Sequence, residues 1–562
     1  MNRLKIGMIP KLPKTLLYLL IALFAINMAQ SYFTELIFDE AYYWYYAQNM
    51  AWGCFDHPPM VALMIKLSSF FFNDELGVRF VSCLLSVATF LILWQLIDHP
   101  KKERYGVQFF VLVFSMTLIN AYGFFTLPDT PFLFFTALFL LVYKKFINKP
   151  SVLLALGLGI VMAALMYSKY HAVLVIIFTL LSNMKLVFNK YAWLSVVVAL
   201  ICYTPHFLWL YENEFVSIKY HLYERPNRAY EFGDFTLGYF VNLVALFGLT
   251  FPWIYKSLFK TRAKDQFTKA LLYLTYGVLV FFFVSSFNRR IQTQWIIVIS
   301  IPMAIMAFNY LLENENAKKW IYRMGMANIA ILLFLRVGLI YEPLFPIVYE
   351  THGNSKWVSE IKSQIGDMSV VFENSYRNAP MYAFYSGSET YSLNNIMYRQ
   401  NQYSIDNSES KIQHKKILYV SKYTDNGDIS FQWADGTKSY GNFIDNFESF
   451  RKLRSYVTEK DIKIKEDKEL TLKVFNPYEM NIPLEKIKFG IAYLNDYRQV
   501  METLPLLTTQ RGEKTVFIKA KDTTRFIFKL PKSKMEDPGF FKITISENGL
   551  YMGINGDNIK LD

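Results

Sequence analysis

Cysteine is nearly absent from this chain of 562 residues, which has three in all: Cys54, Cys83 and Cys202. They are far apart, show no C-x-x-C spacing and lie in or near apolar stretches. That excludes a disulfide framework or a clustered zinc site and reads as buried thiols. Charge is scarce too: Lys, Arg, Asp and Glu make up 19% of residues, below the roughly 25% of an average soluble domain. Disorder needs low hydrophobicity with high net charge, and 53% apolar residues exclude it. No internal repeat and no low-complexity tract is present.

What charge there is lies unevenly. Residues 1–351 hold 29 Lys/Arg and 19 Asp/Glu, whereas the remaining 211 positions hold 30 and 27, twice the density. The first part therefore reads as a membrane unit, the second as a soluble one. Apolar runs long enough to cross about 30 Å of hydrocarbon occur near 15–33, 77–97, 107–126, 128–146, 152–168, 170–187, 191–211, 236–255, 270–287, 291–312 and 321–341. The first lacks a small-residue cleavage site and reads as a retained signal anchor.

Eleven spans place the two ends on opposite sides. Alternate loops then separate by charge, with 20 Lys/Arg on the N-terminal side and seven on the other. The positive-inside bias makes the first side cytoplasmic. The net charge of +13 is thus mostly topology and argues against a nucleic-acid partner. Most of the acid falls in the opposite, external loops, above all in 34–75, so chemistry is expected there. From 352 onward, a helix near 356–364 and strands at 369–372 and 416–420 suggest a small α/β lobe (352–425). Alternating strands at 470–475, 487–493, 515–520, 525–530 and 540–546 suggest a β-sandwich domain (426–562).

The strongest constellation is Phe38-Asp39-Glu40-Ala41-Tyr42-Tyr43-Trp44, followed by Phe55-Asp56-His57-Pro58-Pro59. Adjacent carboxylates just outside an apolar span, set among aromatics, are partly desolvated, which suits general-base work or cation binding. Interfacial aromatics with solvated charges are the plainer alternative. These motifs resemble the first external loop of the family 39 glycosyltransferases, GT-C membrane enzymes related to protein O-mannosyltransferases and lipid A aminoarabinose transferases. Leu127-Pro128-Asp129-Thr130-Pro131 resembles the family's second-loop acidic motif, and Tyr167-Ser168-Lys169-Tyr170 its S-K-Y hairpin. The stretch from Phe215 to Arg225 resembles the loop after the seventh span, and Gln294-Trp295 stands where many members have Asn-Trp-Pro. Ile296 replaces the usual proline, a departure that bears on substrate identity more than on reaction class.

The resemblance implies a polytopic α-helical membrane enzyme of a bacterial inner membrane, with a cytoplasmic N-terminus and a periplasmic C-terminal domain. It would move a sugar from a polyprenyl-phosphate donor to a glycolipid, polysaccharide or protein acceptor, by single displacement with inversion. Asp39 is then the expected base, with Glu40 and Asp129 assisting. His57, Lys169, Arg289, Arg290 and Arg336 are expected at the donor phosphate, ordinary headgroup contacts being the alternative for the last four. Tyr42, Tyr43, Trp44, Asp56, Glu224, Arg225, Gln294 and Trp295 are expected to bind substrate. A divalent cation shared by Asp39 and Asp129 is the one cofactor admitted; no organic cofactor is implied. The alternatives are an oligosaccharyltransferase or glycan polymerase with a larger lipid-linked donor, and a transporter or flippase. The last expects polar residues near the midplane and an inverted repeat.

Overall fold

The computed structural model describes residues 12–459, 462, 468–510 and 515–561; Arg3, Lys5 and Lys11 lie outside them. The chain forms two compact units, Met1–Trp209 with Tyr230–His352, and Leu210–Ala229 with Gly353–Asp562.

The first unit is helical. It opens with α1 (Lys14–Phe33), the short α2 (Phe38–Gln48) and α3 (Met60–Ser68), and the long α4 (Asp74–Leu96). Next come α5 (Gly106–Phe114), α6 (Thr117–Ala121), α7 (Asp129–Asn148), α8 (Val152–Ser168), α9 (Ala172–Leu181) and α10 (Lys190–Glu212). The one-turn α11 (Val216–Lys219) belongs to the second unit. The first resumes with α12 (Gly238–Phe247), α13 (Phe251–Lys260), α14 (Gln266–Ser285), α15 (Thr293–Ile296), α16 (Ser300–Glu313) and α17 (Glu315–Ile340).

Among the described residues eight helical segments are long and apolar enough to cross a membrane, and α8 and α9 are shorter apolar helices. The protein is multi-pass. Thr293–Glu313 is mostly buried and forms the centre of the bundle, whereas Lys190–Glu212 is much less buried and turns Leu200, Ile201 and Leu208 outward. Outward apolar side chains cost nothing in lipid, where helices gain little by hiding them.

The expected span 107–126 is broken. Helix α5 stops at Phe114 and α6 restarts at Thr117, which frees carbonyls that no water can satisfy in hydrocarbon. Side chains take them up. Asn120 Nδ2 donates to the Phe114 carbonyl (3.1 Å), Asn328 Nδ2 to that of Ser115 (2.5 Å) and Arg336 Nη2 to that of Asn120 (2.7 Å). A second break separates α12 from α13 at Gly248, whose φ of +53° and near contact with Asn328 both require glycine. A Cβ there would lie 2.4 Å from Asn328 Oδ1.

The second unit contains both lobes expected beyond residue 352. Helix α18 (Asn354–Ile365) precedes β1 (Ser369–Glu373); α19 (Asn378–Ser386), β2 (Thr390–Leu393) and α20 (Ser408–Ile412) follow. Strands β3 (Ile417–Val420), β4 (Ile429–Gln432) and β5 (Lys438–Ile444) complete a sheet of order β2-β1-β3-β5-β4, parallel at β2-β1-β3 and antiparallel beyond. The lobe boundary expected at 425 is therefore corrected, because β4 and β5 hydrogen-bond onto β3. The expected 1–351 unit also loses Leu210–Ala229 to the second unit.

The rest is a sandwich. One sheet orders β6 (Arg454–Val457), β7 (Leu470–Phe475), β13 (Thr523–Phe528) and β11 (Thr508–Thr509) as β11-β13-β7-β6. The other orders β9 (Ile487–Leu494), β10 (Val500–Pro505), β14 (Phe540–Glu547) and β15 (Ile559–Lys560) as β10-β9-β14-β15. A two-stranded ribbon of β8 (Ile482–Pro483) and β12 (Phe517–Ile518) joins them. Strand β7 alternates buried and half-buried residues, and Leu472, Val474 and Phe526 share one core with Ile491, Phe541 and Ile543 of the facing sheet.

Candidate active site

Asp39 and Glu40 are successive residues in the first turn of α2, so they point about 100° apart around the helix axis. That separates their roles. Glu40 is fully buried against α4, where Arg79 grips it through Nε (2.8 Å to Oε1) and Nη2 (2.5 Å to Oε2). The Thr126 and Ile37 amides donate to the same carboxylate at 2.8 and 3.3 Å. The other N–H groups of Arg79 reach the carbonyls of Ser31, Thr34 and Glu35, so all five donors of the guanidinium are engaged. Glu40 thus ties the first loop to α1 and α4, which suits the supporting part expected of it beside Asp39. Asp39 is half-buried, and Tyr122 lies close enough to sense both its charge and that of Asp129.

Asp129 begins α7. Pro128 and Pro131 flank it, in the turn where a missing N–H costs nothing, and they fix where the helix starts. Its buried carboxylate accepts from Lys169 Nζ at 2.6 Å, both side chains being 6% exposed. Lys169 follows the last residue of α8, inside the hairpin to α9, and its ammonium also contacts the Gln294 carbonyl (3.4 Å) at α15. The first loop, the α7 start, the α8–α9 hairpin and the α14–α16 connection therefore converge at one end of the bundle.

The second half of the first-loop motif packs beside this. His57 stands edge-on to Tyr43, with ring centres 5.7 Å apart, and its carbonyl accepts from the Cys54 amide. Asp56 is buried, 3.5 Å from the Tyr46 hydroxyl. Tyr42, Tyr43 and Tyr46 pack on one another and are buried. The expected sugar-stacking role of Tyr42 and Tyr43 is corrected on that ground; Trp44 is half-buried. His206 on α10 donates from Nδ1 to the Trp52 carbonyl (2.7 Å) and pairs through Nε2 with the Tyr170 hydroxyl (3.2 Å), which ties the loop and the hairpin to a third helix.

Arg336 is the clearest departure from expectation. Its guanidinium is buried within α17, bound to Asn120 Oδ1 (2.8 Å) and to Asn27 Oδ1 (3.0 Å), and stacked over Phe124 at 4.5 Å. It holds the broken α5–α6 segment and is occupied there, so the donor-phosphate role is corrected. Glu224 is likewise engaged elsewhere: within the second unit it accepts from Lys542 Nζ (2.6 Å) and the Asn558 amide (3.1 Å). Arg225, beside it, is half-buried in that unit. Arg289 is half-buried and Arg290 exposed, in the connection that also holds Gln294. Trp295 packs on His171 and Phe282.

Arg79 escaped the motif reading, although it is the sole charged residue between 77 and 97. An ionisable group within an apolar span signals a buried partner, and that rule finds it. Among the described residues no group of three or more His, Cys, Asp or Glu side chains is placed to hold a metal ion. Lys169 already holds one oxygen of Asp129, so a cation bound there would have to displace the ammonium.

Comparison with known proteins agrees with this architecture. The model of a family described as dolichyl-phosphate-mannose-protein mannosyltransferase matches residues 56–209, a stretch that includes Asp129 and Lys169 but starts beyond Asp39. The fold matches that of ArnT from Cupriavidus metallidurans, both apo and bound to undecaprenyl phosphate. The TM-score is 0.54 at 12% identity, over 73% of this chain and 93% of that one. The fold is GT-C. The lipid A galacturonosyltransferase RgtD of Rhizobium johnstonii is 24% identical over 318 residues, 54% of this chain. The match spans 66% of that relative, just under two thirds of its length. The resemblance drawn from the motifs is thereby borne out, as is the helical membrane unit with a β-rich C-terminal part.

Proposed function

We propose that this protein is an inner-membrane glycosyltransferase that moves one sugar from a polyprenyl-phosphate donor to a lipid, polysaccharide or protein acceptor on the periplasmic face. The observation that carries the reading is the buried Asp129–Lys169 pair beside the half-buried Asp39, at one end of a GT-C bundle. That RgtD acts on lipid A and that ArnT binds undecaprenyl phosphate support a lipid-linked donor and favour a lipid acceptor.

In this scheme the acceptor hydroxyl gives its proton to the Asp39 carboxylate as its oxygen bonds to the anomeric carbon. The bond from that carbon to the phosphate oxygen breaks on the opposite face, with inversion, and polyprenyl phosphate leaves with the electron pair. A positioned base of this kind contributes typically about 10²–10⁴-fold. Lys169 supplies positive charge to the leaving phosphate. An ammonium has three donors, and Asp129 with the Gln294 carbonyl uses two of them. Asp129 keeps the ammonium charged and aimed, and so does the work first expected of a metal. Arg289 and Arg290 are further phosphate contacts, and His57 with Trp44, Gln294 and Trp295 borders the sugar.

Turnover of synthetic polyprenyl-phosphate pentoses, hexoses and uronic acids by the purified protein, wild type against Asp39→Asn, tests the scheme. Transfer that Asp39→Asn abolishes and a chelator leaves intact is the expected outcome. Full activity in Asp39→Asn would overturn the base assignment, and activity lost on chelation would restore the cation.

A further inference from the structure

The second unit contains a cavity of about 550 Å³ that the transfer scheme does not use. Residues from Leu210–Ala229 line it, together with residues following β2 and residues of the sandwich sheets. Its wall carries seven Lys or Arg side chains against three carboxylates: Glu214, Glu224 and Asp557. Two of the three are already matched, Glu214 by Arg454 and Glu224 by Lys542. Among the described residues Lys452 and Arg498 make no ion pair. Arg399 lies over Tyr376, its Cζ 4.3 Å from the ring centre, while its Nη1 donates to the Tyr220 hydroxyl at 3.0 Å. A guanidinium fixed in this way is preorganised for an anion and loses little freedom on binding one.

The remaining wall is suited to a sugar. Tyr398 and Tyr456 line it with aromatic rings, and Asn213, Gln400 and Gln499 with side-chain amides. Among the described residues three polar atoms in the lining, Arg451 Nε, Ser455 Oγ and Asn558 Oδ1, are buried without a hydrogen-bond partner, which is unusual in a settled wall. The volume lies in the range of small-ligand sites, about 300–1,000 Å³, and an excess of positive charge in a concave, partly desolvated site focuses attraction on anions.

We infer that this cavity binds a saccharide carrying a phosphate or carboxylate group, and that it serves to recognise the anionic glycan of the acceptor. The binding stands on the cavity alone; the acceptor role rests on the transferase reading.

The full-length protein in detergent micelles is titrated calorimetrically with lactose 1-phosphate, lactose and inorganic phosphate. Lactose 1-phosphate binds at least tenfold more tightly than either of the others. Lys452→Gln with Arg498→Gln weakens it tenfold or more at an unchanged melting temperature, and Arg399→Gln does the same should the double variant melt early. Inorganic phosphate binding as well as the sugar phosphate would overturn the saccharide assignment. Lactose binding equally, or variants without effect, would overturn the site. Asp39→Asn leaves the titration unchanged, so the two readings fail separately. Binding without any transfer leaves the site standing and removes the acceptor role; transfer without binding overturns the site alone.

Discussion

Arg79 and Arg336 both sit in apolar helices with almost no exposure, yet the two regions around them neutralise a buried guanidinium in opposite ways. At the polar end of the bundle Arg79 meets a carboxylate, Glu40, and completes its shell with backbone carbonyls. At the helix break Arg336 meets two side-chain amides, a backbone carbonyl and a ring face. The first arrangement locks a charged loop in place beside Asp39. The second supplies hydrogen bonds at the one break between α5 and α6. Burial of a charge therefore does not by itself mark a catalytic group.

Removing one partner at the first region has the largest expected effect. Glu40→Leu or Arg79→Met strands an unpaired buried charge and costs about 3–5 kcal/mol. The pair removed together recovers most of that, which thermal melting of the three variants in detergent measures. Recovery absent from the double variant would mean that the pair does more than compensate itself.

Lys169→Met follows, lowering the transfer rate by about 10²–10³-fold, as loss of a donor aimed at developing negative charge does. Lys169→Arg restores part of it. Arg336→Met costs about 1–3 kcal/mol for each acceptor left unsatisfied and leaves the KM for the donor unchanged. A tenfold rise in KM at constant melting temperature would return Arg336 to the phosphate and erase the contrast between the two regions.

The last effect lies in the second unit and extends the comparison to water-exposed protein. Burial pushes the Glu547 carboxyl up to about 7, against the pull of Arg451 and with the help of buried Glu409. The folded state then holds a proton that the unfolded chain has released, so stability falls as pH rises from about 4.5 towards about 7 and levels above it. Melting of the full chain across that window shows the slope, and Glu547→Gln flattens it.

Much of this was legible in the sequence, because its signals are local. Apolar length gives the spans, period-two alternation gives β7, β9 and β14, and the motifs around Asp39, Asp129 and Lys169 lie on single loops that the fold gathers. What was not legible is non-local. That Glu40 faces α4 while Asp39 does not depends on the phase of α2 against Arg79, 39 positions away. The role of Arg336 depends on a break in α5–α6, which hydropathy reads as one continuous span. Glu224 is claimed by Lys542, 318 positions later. Strands β4 and β5 join β1–β3 through edge pairing that no turn signal near 425 announces.

The central claim is that the neighbouring carboxylates of the first loop divide the labour, Asp39 taking the acceptor proton and Glu40 holding the loop. Single-turnover transfer rates measured beside melting temperatures, for Asp39→Asn and Glu40→Gln, test it directly. Asp39→Asn is expected to lose about 10²–10⁴-fold in rate at an unchanged melting temperature, and Glu40→Gln to melt early while its folded fraction turns over at near the wild-type rate. A stable Glu40→Gln protein with no transfer, or an Asp39→Asn protein with full transfer, would contradict the division.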